Sequence, residues 1–525
     1  MRQPAQESFK NSSKRKTFAP PTRGWNARDT LVAMKPTDAI ILDNWWPQLT
    51  NLIVRNGFTS WATVTESNPI KHNIRSLMTY QTASGVGKLF AGNSDGIYDV
   101  TVAGAKTVAH TATNGEWKSL NMTTSGGSFL WACNGVDDPV LYDNSTWVDL
   151  DATSTPALTG ITSTDVVNVS IFKNRIILTE KNSLSFWYLP LDSVAGAAVE
   201  FPLGSLFNEG GYLMATFTWT LDAGEGADDY FVAVTSQGEV AVYKGTDPSS
   251  ATSFALVGIY LLGKPLGRKC FQKVGGDVYL LTVNGLFPLS KSLIAGNINR
   301  ATAVSDRILH AWNQYALDHK ELFGWQATLF TEANMLLVNV PIKYDDVLKK
   351  TYSYQFAMNT LTGAWARFSG QNADCWATFD GNLYFASEAG VFKAWYGNQD
   401  GTNVIDVNCK MAFINPLNTA LQQINMVRFS FETDSSFDVQ LGIDTDYENS
   451  TISGSSSSFP VYNDKWDTAV WDTAKWAGVV LLNVWKTVFH KPGNTLSLRL
   501  RFSTKNVTIR WNAVDMIVEK LNSLF

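Results

Sequence analysis

Cysteine is scarce: Cys133, Cys270, Cys375 and Cys409 are the four in 525 residues. They form no CxxC pair and have no pair of histidines beside them, so zinc spacing is absent and ordinary buried thiols are expected. The five histidines, His72, His110, His310, His319 and His490, lie in contexts that give no HExxH, and the chain has no GxSxG elbow and no P-loop. No run approaches the roughly 20 apolar residues of a membrane helix, and the first 30 residues lack the apolar stretch of a signal peptide. The expectation is a chain made and folded in a cytosol, without membrane insertion. Positive charge is not in surplus either. With 42 Lys and Arg against 47 Asp and Glu, a net of −5, a protein that grips nucleic acid over its whole surface is excluded.

What the chain has in quantity is aromatic side chains, 19 Trp, 17 Tyr and 29 Phe, which suit strands and extended contact surfaces better than long helices. Charge is distributed unevenly. Residues 1–28 carry Arg2, Lys10, Lys14, Arg15, Lys16, Arg23 and Arg28 against Glu7, a net of +6, which leaves −11 for the rest. Residues 1–22 are rich in Ser, Gln and Pro and lack apolar periodicity. They read as a solvated tail, or as an arm docked on a neighbour such as the acidic body of another copy.

One hairpin recurs. A short apolar strand, a turn and a second apolar or aromatic strand occur at 89–100, 129–144, 176–189, 231–245, 279–290 and 383–397, with a looser copy at 335–356, a period of about 49 residues. Asp95-Gly96, Asn284-Gly285 and Ala389-Gly390 occupy the turns of three copies, where a hairpin needs a residue that tolerates positive φ. Further strand-like runs precede several copies, among them 167–171, 213–219 and 376–379. A repeat of this size made of short strands matches a four-stranded propeller blade, and radial stacking covers the faces and edges that a lone sheet leaves open. The predicted fold is therefore all-β: a propeller of about seven blades, with six or eight as near alternatives. An array of β-sandwiches is the rival.

Two intervals between hairpins contain insertions. Residues 305–318 predict a helix, with Ser305 as N-cap and Ile308, Trp312 and Tyr315 on one face. Residues 193–211 predict a Gly- and Ala-rich loop. Closure of the ring is assigned to a strand from the N-terminal side near 50–65, around Leu52, Ile53, Val54 and Phe58. The division is then a basic arm and lead-in segment at 1–60, the propeller at 61–405, and a smaller C-terminal β platform at 406–525. In the platform, Trp466, Trp471 and Trp476 recur every five residues, a spacing that matches neither strand nor helix and suggests successive turns. Those indoles either pack a loop against its own domain, meet another subunit, or stack on a sugar ring.

The lead-in segment carries Arg23-Gly24-Trp25-Asn26-Ala27-Arg28-Asp29, then Ala39, Leu42, Asn44 and Pro47, then Val54-Arg55-Asn56-Gly57. This order resembles the segment that precedes the blades in the nozzle or tail-hub propeller proteins of short-tailed bacteriophages, with Trp25 standing where a second Gly is commoner. The Trp-Asp repeat at 466–476 and the turn Asn359-Thr360-Leu361-Thr362-Gly363-Ala364-Trp365 resemble segments of the same group. The resemblance implies a homohexameric ring at the distal end of a virion tail, assembled in the bacterial host cytoplasm. It would attach to the adaptor below the portal, with tail fibre or spike proteins as further partners. It would retain packaged phage DNA, pass it through the lumen without sequence-specific binding, and open on host contact. Arg23, Trp25 and Arg28, with Trp466, Trp471 and Trp476, are the candidate assembly-interface residues.

No enzymatic role, catalytic residue, cofactor or metal is expected. Ser94, Asp95 and Gly96 resemble the Asp-box of sialidases only in part, lacking its Thr and Trp and its recurrence. The doublets Asp137-Asp138, Asp228-Asp229 and Asp345-Asp346 fall in predicted turns or loops as solvated acids, and 444–454 lacks the Gly and terminal Glu of a calcium loop. The alternative function is a glycan-binding or glycan-hydrolysing propeller acting on host surface polysaccharide. A monomeric scaffold is a third reading. If copies form a ring, an acidic lumen would let DNA phosphates slide without sticking.

Overall fold

The computed structural model describes residues 13–64, 73–222, 227–250, 252–295, 302–345, 350–388, 390–418, 421–449, 452, 457–460 and 480–521. The chain divides into two compact units, one of residues 58–357 and 369–396, the other of 1–57, 358–368 and 397–525.

The first unit is a seven-bladed β-propeller. Its sheets follow one another along the chain, and each contains one of the seven predicted hairpins as its second and third strands. Blade one is Ser76–Gln81, Gly87–Asn93, Gly96–Asp99 and Val108–Thr111; blade two is Lys118–Thr124, Gly127–Cys133, Val140–Tyr142 and Trp147–Asp149. Blade three runs Val166–Phe172, Arg175–Glu180, Ser185–Tyr188 and Val199–Pro202, and blade four Leu213–Asp222, Ala227–Thr235, Glu239–Gly245 and Phe254–Leu261. Blade five has three strands, Phe271–Val274, Asp277–Thr282 and Gly285–Pro288, and blade six comprises Gln326–Phe330, Met335–Asp345 and Lys350–Asn359.

Blade seven takes Cys375–Phe379, Asn382–Ser387 and Gly390–Ala394 from late in the chain and its outer strand, Phe58–Val64, from early in it, with Gly104–Lys106 paired parallel on the far edge. The ring is thus fastened from the N-terminal side, as expected for Phe58. Leu52, Ile53 and Val54 do not take part: that strand pairs with Trp45–Pro47 and Ile509–Lys520 in the other unit. Gly390 is needed at the closure. Its φ is +126°, and a Cβ there would lie 2.5 Å from the Ala62 carbonyl oxygen of the incoming strand. Phe58 meets Phe385 and Phe392 edge-on, with ring centroids 5.1 and 5.4 Å apart.

The circle closes at the inner strands too. The first strand of each of blades one to four packs against its successor, blade four meets the second strand of blade five, and the first strands of blades five, six and seven follow in turn until Cys375–Phe379 reaches Ser76–Gln81. Apolar clusters fill the spaces between blade faces: Met78, Phe90 and Leu130 between blades one and two, Trp131, Val169 and Leu178 between two and three. Burying each such side chain contributes about 1.5–3 kcal/mol.

Two insertions depart from expectation in detail. Residues 193–211 are not simply a loop, because Val199–Pro202 pairs with Ser185–Tyr188 as the fourth strand of blade three. The expected helix forms as a 3₁₀ turn, Asp306–Ile308, followed by helix α2, Leu309–His319, after a short α1 at Leu289–Ala295. Ser305 does not cap it; its Oγ accepts the Leu286 N–H at 3.0 Å instead. Trp312 is fully buried, donates from Nε1 to the Thr282 carbonyl, and lies 6.0 Å from Phe356. Helix α2 therefore packs against blades five and six.

The second unit is a β-sandwich. One sheet is Trp45–Pro47, Leu52–Val54, Ile509–Lys520, Gln422–Thr433 and Val480–Thr487; the other places Ala39–Asp43, Ile405–Met411, Leu496–Thr504, Phe437–Thr445 and Ser457–Phe459 side by side. Aromatic rings bridge the two: Trp45 stands 5.8 Å from Phe502, and Phe431 stands 5.4 Å from Phe437. The lead-in segment thus belongs to the same compact unit as the C-terminal strands, which the division at 1–60 and 406–525 treats as separate parts. The basic arm also differs from expectation. Its strand Ser13–Phe18 pairs antiparallel with Ile509–Lys520 of its own chain, from Ser13 opposite Glu519 to Phe18 opposite Val514.

Candidate functional site

The residues of the lead-in motif converge on a buried polar network in the sandwich unit. Arg55, fully buried, sends Nη1 and Nη2 to the two carboxylate oxygens of Asp400 at 2.9 and 2.6 Å, and Nε to Asn44 Oδ1 at 2.8 Å. Asn44 Nδ2 donates to the Asp406 carbonyl at 2.7 Å, with the Asn44 backbone at φ +60°, a conformation Asn tolerates better than most residues. The R-x-G spacing has a steric reason as well. A Cβ on Gly57 would stand 1.8 Å from the Gln399 carbonyl oxygen, so only glycine fits beside the segment that carries Asp400.

A second layer of the network holds the turn at 359–365. Asn359 Nδ2 donates to the Pro47 carbonyl at 3.0 Å, and the Trp25 N–H donates to the Trp365 carbonyl at 2.7 Å. Arg367 forks onto Asp43 at 2.8 and 3.0 Å and stacks its guanidinium 5.4 Å over the Trp25 ring.

This placement bears on the interface candidates. Trp25 is 6% exposed and packs inside its own chain, so its indole does not present a face to a second subunit. Trp25 is an interface candidate in sequence through its place in the lead-in motif; its size and single donor serve a core equally well. Arg23 keeps a half-exposed side chain while donating to Asp38 at 2.9 Å, and Arg28 pairs with Asp29 at 2.7 Å near the surface. Trp466, Trp471 and Trp476 lie outside the described residues.

The propeller unit has a cavity of about 620 Å³ where the inner strands begin, lined by Trp117, Lys118, Tyr212, Arg268, Lys269 and Asp374 among others. A smaller space of about 150 Å³ adjoins it, sharing Trp117, Lys118, Lys269 and Gln326 and adding Phe271. The local sequence explains the location. Lys118 opens the first strand of blade two, Arg268 and Lys269 immediately precede that of blade five, and Asp374 immediately precedes that of blade seven. Equivalent points of the repeat thus deliver charged side chains to one place, a signal legible only when the blades are aligned by their first strands. The hairpin pattern, which marks the second and third strands, passes over it.

The electrostatics are unusual for residues of these types. Burial, reinforced by the nearby Lys269 charge, brings the Lys118 ammonium down to about 8. Burial likewise lowers Lys269 and Arg268. Asp374 is pushed up to about 6 by burial, against the pull of Arg75 and a hydrogen bond from Asn73 Nδ2 at 3.0 Å. Lys118 Nζ sits 4.7 Å over the Phe271 ring and Arg268 5.6 Å over Tyr212, while Arg268 Nη1 is buried with no hydrogen-bond acceptor among the described residues.

Other residues singled out in the sequence serve local structure. All four cysteines are free and buried, and burial pushes the Cys133, Cys270 and Cys375 thiols up to about 12. Asp137 accepts hydrogen bonds from Thr113, Asn114 and Asn134, which hold its carboxyl below the ordinary value although burial, the largest influence, opposes them. Asp138 accepts from Ser163, and Asp229 pairs with Lys173. Asp444 forms a buried pair with Lys410, and Asp446 accepts the N–H groups of Asn494 and Thr495. Asp346 lies outside the described residues. Among the described residues no cluster of three or more His, Cys, Asp or Glu is arranged to hold a metal ion.

No protein-family model matches the chain, and no curated protein matches it. Among solved structures it is similar to a BBS1N–ARL6DN complex at 12% identity and a TM-score of 0.28, over 44% of this chain and 70% of that one. It is also similar to a 6-phosphogluconolactonase candidate from Bacteroides uniformis at 13% and 0.33, over 65% and 92%, and to Chaetomium thermophilum Raptor at 13% and 0.36, over 66% and 28%. None of the three bears on what this chain does.

Proposed function

We propose that this protein is a structural component of a virion, forming the distal nozzle or hub of a short phage tail as a homohexameric ring. It attaches below the adaptor and portal, holds back the packaged DNA and forms its exit channel, with tail fibres or spikes as neighbours. The observation that carries this reading is the meeting of the resembling motifs. Gly24-Trp25, Asn44, Pro47 and Arg55-Asn56-Gly57 of the lead-in segment are bonded to the turn Asn359–Trp365 and to the segment around Asp400. Residues that look like scattered similarities in sequence form one connected construction, which is what a shared architecture requires.

In this reading the protein works as a scaffold and DNA passes without sequence-specific binding. The test is electron microscopy of purified virions of the phage that encodes the chain, with a label at the C-terminus. Label at the distal tip of the tail with six-fold averaging supports the proposal. Virions that contain no copy of the chain, or a label on the capsid, overturn it.

A further inference from the structure

We infer that the cavity at the start of the propeller's inner strands is a binding site for a small multivalent oxyanion of the phosphate class, held by Lys118, Lys269 and Arg268. The site is independent of the tail-protein reading. Three cations from blades two and five converge there, and none has a carboxylate within ion-pair distance among the described residues. A lining Glu116 is turned to Arg75 at 3.2 Å and lies at the surface. Of the other two lining acids, Asp374 accepts from Asn73, and the exposed Glu321 stands 3.8 Å from Lys320.

Unpaired cations in a concave, partly dry site are unfavourable, because burial penalises charge and like charges repel. The depressed proton affinity of Lys118 shows both effects, and that of Lys269 shows the first. A structural role would be met better by Met or Gln of similar length. An anion reverses the sign: each ammonium gains a charge-assisted partner, and the buried guanidinium gains a counter-charge. The cavity volume of about 620 Å³ falls within the roughly 300–1,000 Å³ range of small-molecule sites. Trp117, Tyr212 and Trp325 give it apolar walls against which the rest of a phosphate ester would rest. The chemistry is shared by inorganic phosphate, pyrophosphate and nucleotide phosphates.

The full-length protein is titrated by calorimetry with inorganic phosphate, pyrophosphate and a nucleoside triphosphate, in the wild type and in Lys118→Gln/Lys269→Gln. Saturable binding of at least one of these, weakened about thirtyfold or more in the double variant and retained in the charge-conserving Lys118→Arg, supports the site. The strongest of the three probes assigns the source. Heats that match potassium chloride at equal ionic strength, or binding of equal strength in the double variant, overturn it. Circular dichroism confirms the fold of each variant. If the double variant does not fold, Lys269→Gln alone takes its place with the same two outcomes.

Discussion

Arg55 and Asp400 are joined by two parallel hydrogen bonds of 2.9 and 2.6 Å across 345 residues of sequence, both side chains buried. Replacing one partner strands the other charge in a dry site, which costs about 3–5 kcal/mol. Arg55→Ala is therefore expected to lower the unfolding free energy of the sandwich unit by that amount, read as a lower urea midpoint, and Arg55→Lys to recover little, since an ammonium cannot fork onto a carboxylate. The double change Arg55→Met with Asp400→Leu should restore most of the loss. Fluorescence-monitored unfolding gives all three values; equal midpoints for Arg55→Ala and the wild type would contradict the network's role.

Closure of the propeller gives a second expectation. At Gly390 a methyl group has no room against Ala62, and φ of +126° is strained for any side chain. Gly390→Ala should destabilise by about 1–3 kcal/mol and accelerate amide exchange selectively in 58–64, the strand fastened there. Uniform exchange across all blades would mean that the fastening is not local.

Asp374 supplies a pH signature. Its carboxyl, held near 6 in the folded chain against an ordinary 3.8, binds a proton more tightly folded than unfolded. Its stabilising contribution is full below about pH 3.8 and is lost as pH rises through about 6. Asp374→Asn, which keeps an acceptor for Asn73, should flatten that part of the stability profile and raise stability at pH 7 by on the order of 1–3 kcal/mol. Thermal midpoints between pH 4 and 8 measure it, and parallel curves for variant and wild type would refute it.

Lys118 has the opposite sign. Folding depresses its proton affinity from 10.5 to about 8, so its contribution is present above about pH 10.5 and lost as pH falls through about 8. At pH 7 the ammonium is a net burden, and Lys118→Met should stabilise the unliganded protein by about 1–2 kcal/mol. A variant more stable than the wild type yet poorer at binding pyrophosphate would be the mark of a side chain kept for a ligand. Lower stability at pH 7 would show that Lys118 has a structural partner.

Much of the propeller was legible because its signal is local. Apolar runs separated by Gly-bearing turns at a steady period require only neighbouring residues, and all seven hairpins occupy the predicted positions. Helix α2 was legible for the same reason, since Trp312 lies on its buried face and Ile308 is buried in the 3₁₀ turn before it. What failed depends on distant partners. Leu-Ile-Val at 52–54 has the composition of a buried strand in any sheet, and nothing nearby says that it joins Ile509–Lys520 rather than the last blade. Ser305 has the residue type of a cap, but the Leu286 amide claims its hydroxyl. Of the sites, Arg55 and Asn44 were visible as motif members without their partner Asp400. Lys118, Lys269 and Arg268 went unnoticed because loop cations are common, and only the ring brings them together.

The outer strand of blade seven also sets a schedule for biosynthesis. Residues 58–64 leave the ribosome early, yet the backbone they must pair with, 390–394, follows some 326 residues later. At roughly 5–20 residues per second this is a wait of about 16–65 seconds. Throughout that interval the nascent ring stays open, with the strand at its start paired on one edge only, to Gly104–Lys106. The circle can shut only once residues 390–394 have been made, so the strand's delayed capture is the step at which a chain cut short before them would betray itself.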